Sequence, residues 1–422
     1  MHYKKILDNG MKILVEEMPY LSSVSVGIWI VTGSREEEEK RSGVSHFIEH
    51  MFFKGTEKRN AFEIASALDR VGGRLNAFTS KEITCYHATV LKEHFSLALD
   101  LLSDIIFNSL FKEEDIEKEK QVIVEEINLY EDSPAEYIND ILVQTIFPDS
   151  PLGQPISGKR EAVLNLKRDE IVKHFKEHYA SDRFVISIAG NIKPDEAEQV
   201  VKNFFGNHLL NSSNLPPFST PSFNSNIKLF LRELNQVYIC IGMPGIPYNH
   251  DCRYIFSILN LILGGGMSSR LFQKIREKRG LVYAIYSYPA SFRDTGYSGI
   301  YAGTNPENFF QVFELILQEL AKLKDEGVTD DELSMAKEHM EGGLLLSLES
   351  NEARMSRLAS SEIYFDRIIP VDEVLRKIKE VTLKDIRDIA NKYIKKESLS
   401  VVTLGPKIDE EKIQKTVERI MR

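Results

Sequence analysis

The chain has 422 residues, of which 42% are hydrophobic and 27% charged, and its net charge at pH 7 is −10. This length predicts two or more domains, because single cores rarely grow beyond about 250–300 residues. The acidic balance argues against a nucleic-acid partner, since phosphate contacts need lysine and arginine clusters. No apolar run approaches the roughly 20 residues of a membrane span, so no membrane partner is expected.

The N-terminal residues 1–17 contain no apolar leader and no Arg/Ser-rich amphipathic segment, so no targeting signal is predicted. The three cysteines, Cys85, Cys240 and Cys252, are scattered without CxxC spacing. Sparse cysteines of this kind indicate a reducing compartment without a disulfide framework. The sequence therefore predicts a cytoplasmic protein.

The acidic run EEEE at residues 36–39 is interpreted as a solvated surface. It precedes residues 45–55, SHFIEHMFFKG, which place two histidines and a glutamate among large apolar side chains. Ser42 as the N-cap and Gly55 beyond the last turn predict a short helix over residues 43–54. This helix is apolar nearly all round, which indicates that it is buried.

His46 and His50 are four residues apart and share one face of this helix, with Glu49 beside them. Burying these groups without partners would cost several kcal/mol. A metal ion would compensate, because the H-x-x-E-H spacing supplies two nitrogen ligands and a base that does not bind the ion, as in zinc hydrolases. The alternative is a pair of core histidines hydrogen-bonded to the backbone and to Glu49.

Residues 113–131 predict a second helix, whose isoleucines and Tyr130 form an apolar stripe. Glu119 and Glu126 fall on the edge of that stripe, two turns apart, whereas Glu125 falls on the solvent side. A catalytic zinc needs a third protein ligand, and the two edge glutamates are the candidates. The alternative is that both side chains reach from the edge of the stripe into solvent.

The midpoint of the chain, residues 211–226, is rich in Asn, Ser and Pro, which is typical of a linker. The halves on either side close with similar segments, residues 179–205 and 393–420, offset by about half the chain length. Self-similarity at this spacing predicts duplicated domains. We place the first domain at residues 1–210 and the second, repeat domain at 227–422.

Within each half, hairpin-like strand patterns precede long helical patterns. This grouping predicts the α+β class, with two similar domains that each pack helices on a largely antiparallel sheet, rather than a parallel βαβ alternation. The predicted strands are residues 11–17, 24–32, 82–90, 237–243 and 297–304, and the predicted helices include 92–110, 113–131 and 306–326.

The motif His46-Phe-Ile-Glu49-His50, followed by a glutamate at position 126, resembles the insulinase/pitrilysin family of zinc metallopeptidases. The resemblance is closest to the mitochondrial-processing-peptidase branch and its bacterial relatives. It implies one Zn²⁺ per chain, bound by His46, His50 and Glu126, with Glu49 as the general base. It also implies that Glu119 supports the site from nearby.

The resemblance extends over essentially the whole chain. Residues 76–90 resemble the family's edge strand beside the zinc, where Asn76, Ala77 and Phe78 would contact the backbone of an extended peptide substrate. Such β-augmentation holds a peptide with little demand on its sequence. The alternative is an ordinary strand that begins after a glycine turn.

The second half has no H-x-x-E-H motif, and no metal is predicted there. Gly264, Gly265 and Gly266 resemble a substrate-handling loop of the processing peptidases, although hinge and turn roles are more common. Arg276 and Tyr283 resemble the family's pair that completes the active site from the opposing domain. Both side chains are suitable donors to a peptide carbonyl and its developing oxyanion. For Arg276 the alternative is a surface position in a charged segment.

In the resembling family, the metal domain and the Arg/Tyr domain face each other across a closed chamber. A chain of this length that carries both signatures implies a homodimer in which each protomer completes its partner's site. The predicted function is a zinc-dependent endopeptidase that cleaves short or unfolded peptides inside the chamber. The alternatives are a non-catalytic scaffold and a catalytic subunit that needs a different partner chain.

Overall fold

The strands of the chain form two separate sheets in a computed structural model that describes residues 2–208 and 219–421. The first sheet contains β1 (His2–Ile6), β2 (Lys12–Glu17), β3 (Ser23–Ile30), β4 (Arg74–Thr79), β5 (Thr84–Leu91) and β6 (Phe184–Gly190). Their order is β1-β2-β6-β3-β5-β4, and every neighbouring pair is antiparallel except β2 and β6. β4 therefore lies at an edge.

Among residues 2–208 and 219–421, the second sheet repeats this plan without a counterpart of β1. It contains β7 (Ile227–Leu231), β8 (Val237–Pro244), β9 (Val282–Ser291), β10 (Gly296–Thr304) and β11 (Ser400–Gly405). The order is β7-β11-β8-β10-β9, with β7 and β11 parallel and the other pairs antiparallel. The shared pattern confirms the predicted α+β class with two similar, largely antiparallel sheets.

Helices cover the sheets and take up much of the remaining chain. In the first half they are α1 (Val44–Phe52), α2 (Ala61–Asp69), α3 (Phe95–Phe107), α4 (Glu113–Glu131), α5 (Pro134–Ile146), α6 (Arg160–Asn165), α7 (Arg168–His178) and α8 (Pro194–Phe205). In the second half they are α9 (Arg253–Gly264), α10 (Phe309–Asp325), α11 (Asp330–Ser347), α12 (Asn351–Phe365), α13 (Val371–Glu380), α14 (Leu383–Tyr393) and α15 (Glu410–Ile420). Within the described ranges, no helix has the length and apolar character needed to cross a bilayer.

Two expectations at the start of α1 are wrong. The helix begins at Val44, and its N-cap is Gly43 rather than Ser42. The acidic run before it is not uniformly solvated, because Glu37 is buried and the side chain of Glu36 is only 8% exposed. Glu36 contacts His178 and Arg183, which are distant in sequence, and Glu37 accepts the backbone N–H groups of Gly43 and Ser45. A local charge pattern reveals neither set of partners.

The chain divides into two compact units that are each discontinuous in sequence. Unit 1 consists of Met1–Asn128, Gln154–Phe218 and Leu345–Ile368, and unit 2 consists of Leu129–Gly153, Ser219–Leu344 and Ile369–Arg422. Residues 211–218 of the predicted linker lie outside the described residues. The boundaries at 210 and 227 stay a prediction about the sequence repeat.

Each unit takes one long helix from the other half of the chain. In unit 2, α5 packs on β8 and β11, and in unit 1, α12 packs on β3 and β6. A glycine makes room for each helix. A Cβ on Gly242 would lie 3.0 Å from Leu142 of α5, and a Cβ on Gly27 would lie 3.1 Å from the sulfur of Met355 in α12.

Because each unit contains a helix from the other half of the chain, the structure predicts which unit each of two core truncations destabilises. Leu142→Ala should destabilise unit 2, although Leu142 belongs to the first half, and Met355→Ala should destabilise unit 1. Each is expected to cost about 2–5 kcal/mol, because both side chains are fully or almost fully buried. Amide hydrogen exchange checks this by showing lost protection in β8 and β11 for Leu142→Ala and in β3 and β6 for Met355→Ala. The opposite pattern would contradict the assignment of these helices.

Candidate metal centre

The polar groups of the site lie on a helix that is anchored by its apolar side. Phe47, Ile48 and Met51 of α1 are fully buried in the core of unit 1. This packing leaves the face that carries His46 and His50 directed towards Glu126, in the part of α4 that belongs to the same unit. The rigid attachment of α1 follows from the large apolar side chains that surround the histidines in the sequence.

The structure brings the three predicted ligands together. The Nε2 atoms of His46 and His50 are 3.2 Å apart. From α4, Glu126 places Oε1 at 3.8 Å from His46 Nε2 and Oε2 at 3.6 Å from His50 Nε2. Within residues 2–208 and 219–421, these side chains form the one group of three or more potential ligands whose donor atoms converge within 4.8 Å.

Glu119, the residue that the resemblance assigns to a supporting role, contacts the ring nitrogen of His50 that faces away from His46. Its Oε1 is 2.8 Å from His50 Nδ1, and its Oε2 is 2.6 Å from the ammonium group of Lys54. Burial raises the pKa of Glu119, but the hydrogen bonds with His50 and Lys54 outweigh it and hold that pKa below its ordinary value. An ionised Glu119 accepts the Nδ1–H of His50, which leaves the lone pair of this imidazole on Nε2.

The donor set fits a single zinc ion. Burial, and then the neighbouring His50, lowers the pKa of His46 to about 4, so this imidazole is neutral at pH 7. Two neutral imidazoles and a carboxylate are ligands that zinc prefers, and two nitrogens at about 2.0 Å from a tetrahedral ion lie about 3.3 Å apart. The Nε2 separation of 3.2 Å matches this value.

Glu49 does not belong to the group of converging donor atoms that the three predicted ligands form. Burial raises the pKa of its carboxyl group, and a hydrogen bond from Thr79 opposes this shift only in part. The Thr79 hydroxyl donates to Oε2 of Glu49, which fixes the carboxylate and leaves Oε1 available. Thr79 was not among the predicted residues, although its position directly after Asn76, Ala77 and Phe78 in one strand was visible in the sequence.

Those three predicted substrate contacts lie on the edge strand β4. This strand pairs with β5 on one side only. Asn76 uses its side-chain oxygen to accept the Ala77 N–H, and Phe78 is 41% exposed with its ring against Trp29. Because β4 also carries Thr79, the open strand edge and the Glu49 carboxylate are connected through one hydrogen bond.

The glycine-rich loop lies in unit 2, where Gly264 is the last residue of α9. A Cβ on Gly264 would lie 2.6 Å from the backbone nitrogen of Ser287, and one on Gly265 would lie 2.7 Å from Leu261. Close packing therefore accounts for two of these glycines. A Cβ on Gly266 would meet nothing within 4 Å.

Arg276 and Tyr283 are neighbours in unit 2. Arg276 lies in a π-helical turn, Phe272–Glu277, and Tyr283 is the second residue of β9. The guanidinium carbon lies 5.4 Å from the centroid of the Tyr283 ring, within the range of a cation–π contact. The Tyr283 side chain is 82% exposed, so its hydroxyl is accessible to a ligand.

Comparison with known proteins gives consistent matches over the chain. Residues 12–160 match the family described as Insulinase (Peptidase family M16), and residues 165–340 match the Peptidase M16 inactive domain. A Bacillus subtilis protein named as an uncharacterized zinc protease is 42% identical over 382 residues, covering 90% of this chain and 93% of that protein. A Streptomyces coelicolor protein with the same description is 38% identical over 413 residues, covering 96% and 90%.

Solved structures share the fold at lower identity. A protease from Helicobacter pylori superposes with a TM-score of 0.90 at 22% identity, covering 96% of this chain and 99% of its own. A chain of complex III2 from Candida albicans gives a TM-score of 0.85 at 20% identity, covering 98% and 99%. These likenesses concern the fold, whereas the sequence relatives establish the family and confirm the resemblance. The chain belongs to the insulinase (M16) family of peptidases.

Proposed function

We propose that this chain is a zinc-dependent endopeptidase that cleaves short or unfolded peptides. The convergence of His46, His50 and Glu126, with the Glu49 carboxylate held beside them, carries this proposal. The relatives named as zinc proteases support it. The three cysteines form no disulfide, which supports the cytoplasm as the compartment.

Zinc held by the two histidines and Glu126 would supply Lewis-acid activation of a water molecule and of the scissile carbonyl group. Glu49 acts as the general base and accepts the proton of the attacking water. It then donates this proton to the leaving amine nitrogen. The Thr79 hydroxyl keeps the carboxylate oriented.

The remaining predicted residues would handle the peptide. The free edge of β4, at Asn76, Ala77 and Phe78, would pair with the extended substrate backbone. Tyr283, and Arg276 beside it, would donate hydrogen bonds to the carbonyl oxygen as negative charge develops there. We further propose a homodimer with an enclosed chamber, in which the second half of one protomer completes the partner's site, as the family resemblance implies. The loop at residues 264–266 would contact substrate there.

Metal content tests the ligand assignment. The wild-type chain should bind one zinc ion, and Glu126→Gln should weaken binding by at least about 10-fold, because an amide is a poorer zinc ligand than a carboxylate. Glu125→Gln is the matched control, since Glu125 is exposed on the same helix. Competition with a chelator measures both affinities. Equal zinc affinity in the two variants would remove Glu126 from the ligand set, and a metal-free wild-type chain would favour the scaffold alternative.

Glu49→Gln tests the base. Turnover of a quenched fluorescent peptide should fall about 10²–10⁴-fold, because the amide cannot accept the proton. Zinc content should stay at the wild-type level, since Glu49 is not among the ligands. Undiminished turnover by a zinc-loaded Glu49→Gln variant would contradict the assignment of Glu49 as the general base.

Mixing inactive variants tests the shared site. Tyr283→Phe should lower turnover by about 10²–10³-fold, as for other oxyanion donors. Unfolding and refolding an equimolar mixture of Glu49→Gln and Tyr283→Phe should restore about one quarter of wild-type activity, because half of the dimers are mixed and each holds one intact site. A mixture of Glu49→Gln and Glu126→Gln is the control and should stay inactive.

The same experiment separates the alternatives. Refolded wild-type chain in parallel sets the reference activity, and sizing in solution gives the oligomeric state. No recovery in the first mixture, with dimers present, would contradict completion by the partner. Zinc-loaded wild-type chain without any turnover would instead support a catalytic subunit that needs a different partner chain.

A further inference from the structure

One buried carboxylate next to the metal centre has no role in the reaction described above. Glu37 is only 6% exposed. Its Oε2 accepts the backbone N–H of Gly43 at 2.6 Å, and its Oε1 accepts that of Ser45 at 2.8 Å. Glu37 therefore satisfies two of the free N–H groups at the start of α1, the helix that carries both histidine ligands.

The N-cap residue of helix α1 has no side chain that could accept a hydrogen bond from the first turn. This residue is Gly43, with φ at 92°. A Cβ at this position would also lie 2.6 Å from the carbonyl oxygen of Ser157. Since close packing and the left-handed backbone both require glycine here, the capping oxygens have to come from elsewhere in the chain, and Glu37 supplies them.

The residue before Glu37 is fixed by its own partners. Glu36 accepts hydrogen bonds from Arg183 at 2.6 Å and Thr32 at 2.7 Å, and its Oε2 lies 2.8 Å from Nδ1 of His178. These contacts attach the segment between β3 and α1 to α7 and to the end of β3 in unit 1. The Glu37 carboxylate is therefore held on a fixed frame.

The two histidine ligands differ in how they are oriented. Nδ1 of His50 is hydrogen-bonded to Glu119, but Nδ1 of His46 is buried without a hydrogen-bond partner. The direction of the His46 ring therefore depends on the backbone of the first turn of α1. His46 directly follows Ser45, whose N–H Glu37 holds.

We propose that Glu37 is a positioning residue of the metal centre: by capping the first turn of α1, it sets where His46 Nε2 meets His50 and Glu126. This inference rests on the proposed zinc site. Glu37 does not touch the metal or the substrate and acts through His46.

Glu37→Gln tests the proposal, with Glu38→Gln as the matched control because Glu38 is the exposed next residue. Glutamine has one acceptor oxygen, so one of the two N–H groups loses its partner. Zinc affinity should fall by about 10-fold or more in Glu37→Gln, as for other residues that orient ligands, and stay unchanged in Glu38→Gln. The visible absorption spectrum of the cobalt-substituted protein should change only in Glu37→Gln, because it reports the ligand geometry.

A second control separates positioning from general loss of stability. Ser187→Ala removes the buried partner of the Trp29 indole N–H in the sheet of unit 1 and leaves α1 untouched. The inference is overturned if Glu37→Gln keeps the zinc affinity and the cobalt spectrum of the wild type. It is also overturned if Ser187→Ala, at the same loss of melting temperature, changes the zinc affinity and the cobalt spectrum as much as Glu37→Gln does.

Two further outcomes remain decisive. Should Glu37→Gln fail to fold, Glu37→Asp, one methylene shorter, is measured by the same affinity and spectrum and judged by the same criteria. Hydrogen exchange of the zinc-free protein reports the cap directly, and faster exchange of the Gly43 and Ser45 amides is expected in either variant. A wild-type chain that binds no zinc would contradict the proposed function, whereas zinc binding that ignores Glu37 contradicts this inference alone.

Discussion

The facing Nε2 atoms of His46 and His50, 3.2 Å apart, are the constraint on which the site depends. At this distance the two nitrogens either share a proton in an N–H···N hydrogen bond or bind one cation between them. Contacts away from the facing Nε2 atoms hold the two imidazoles in place. Large apolar side chains hold α1 in the core, Glu119 orients His50, and the loop before α1 supplies the missing cap.

The two units share one sheet plan but use it differently. β4 in unit 1 and β9 in unit 2 occupy the same edge position, with an open side. In unit 1 the strand carries Thr79, which holds Glu49, and in unit 2 it carries the exposed Tyr283. The duplicated framework thus places the Glu49 carboxylate beside one edge strand and the exposed Tyr283 on the other.

Much of this could be predicted from the sequence, because the decisive signals are local. A spacing of four residues places His46 and His50 on one face, and the 3.6-residue period identified the helix that carries Glu119 and Glu126 with correct bounds. The role of Glu37 could not be predicted. It depends on the backbone position of Gly43 after folding, and a run of four glutamates gives no local sign that two of them are buried.

The exchange of helices between the halves was hidden for a related reason. An amphipathic pattern shows which face of a helix is buried but not which sheet covers it. Gly242, opposite Leu142, and Gly27, opposite Met355, are small residues at the places where a helix approaches a central strand. The same exchange affects the metal centre. Glu126 lies two residues before Asn128, where α4 passes from unit 1 into unit 2. The histidines are thus held by a buried core, whereas Glu126, the predicted third ligand, has 49% of its side chain exposed and lies where the chain leaves unit 1.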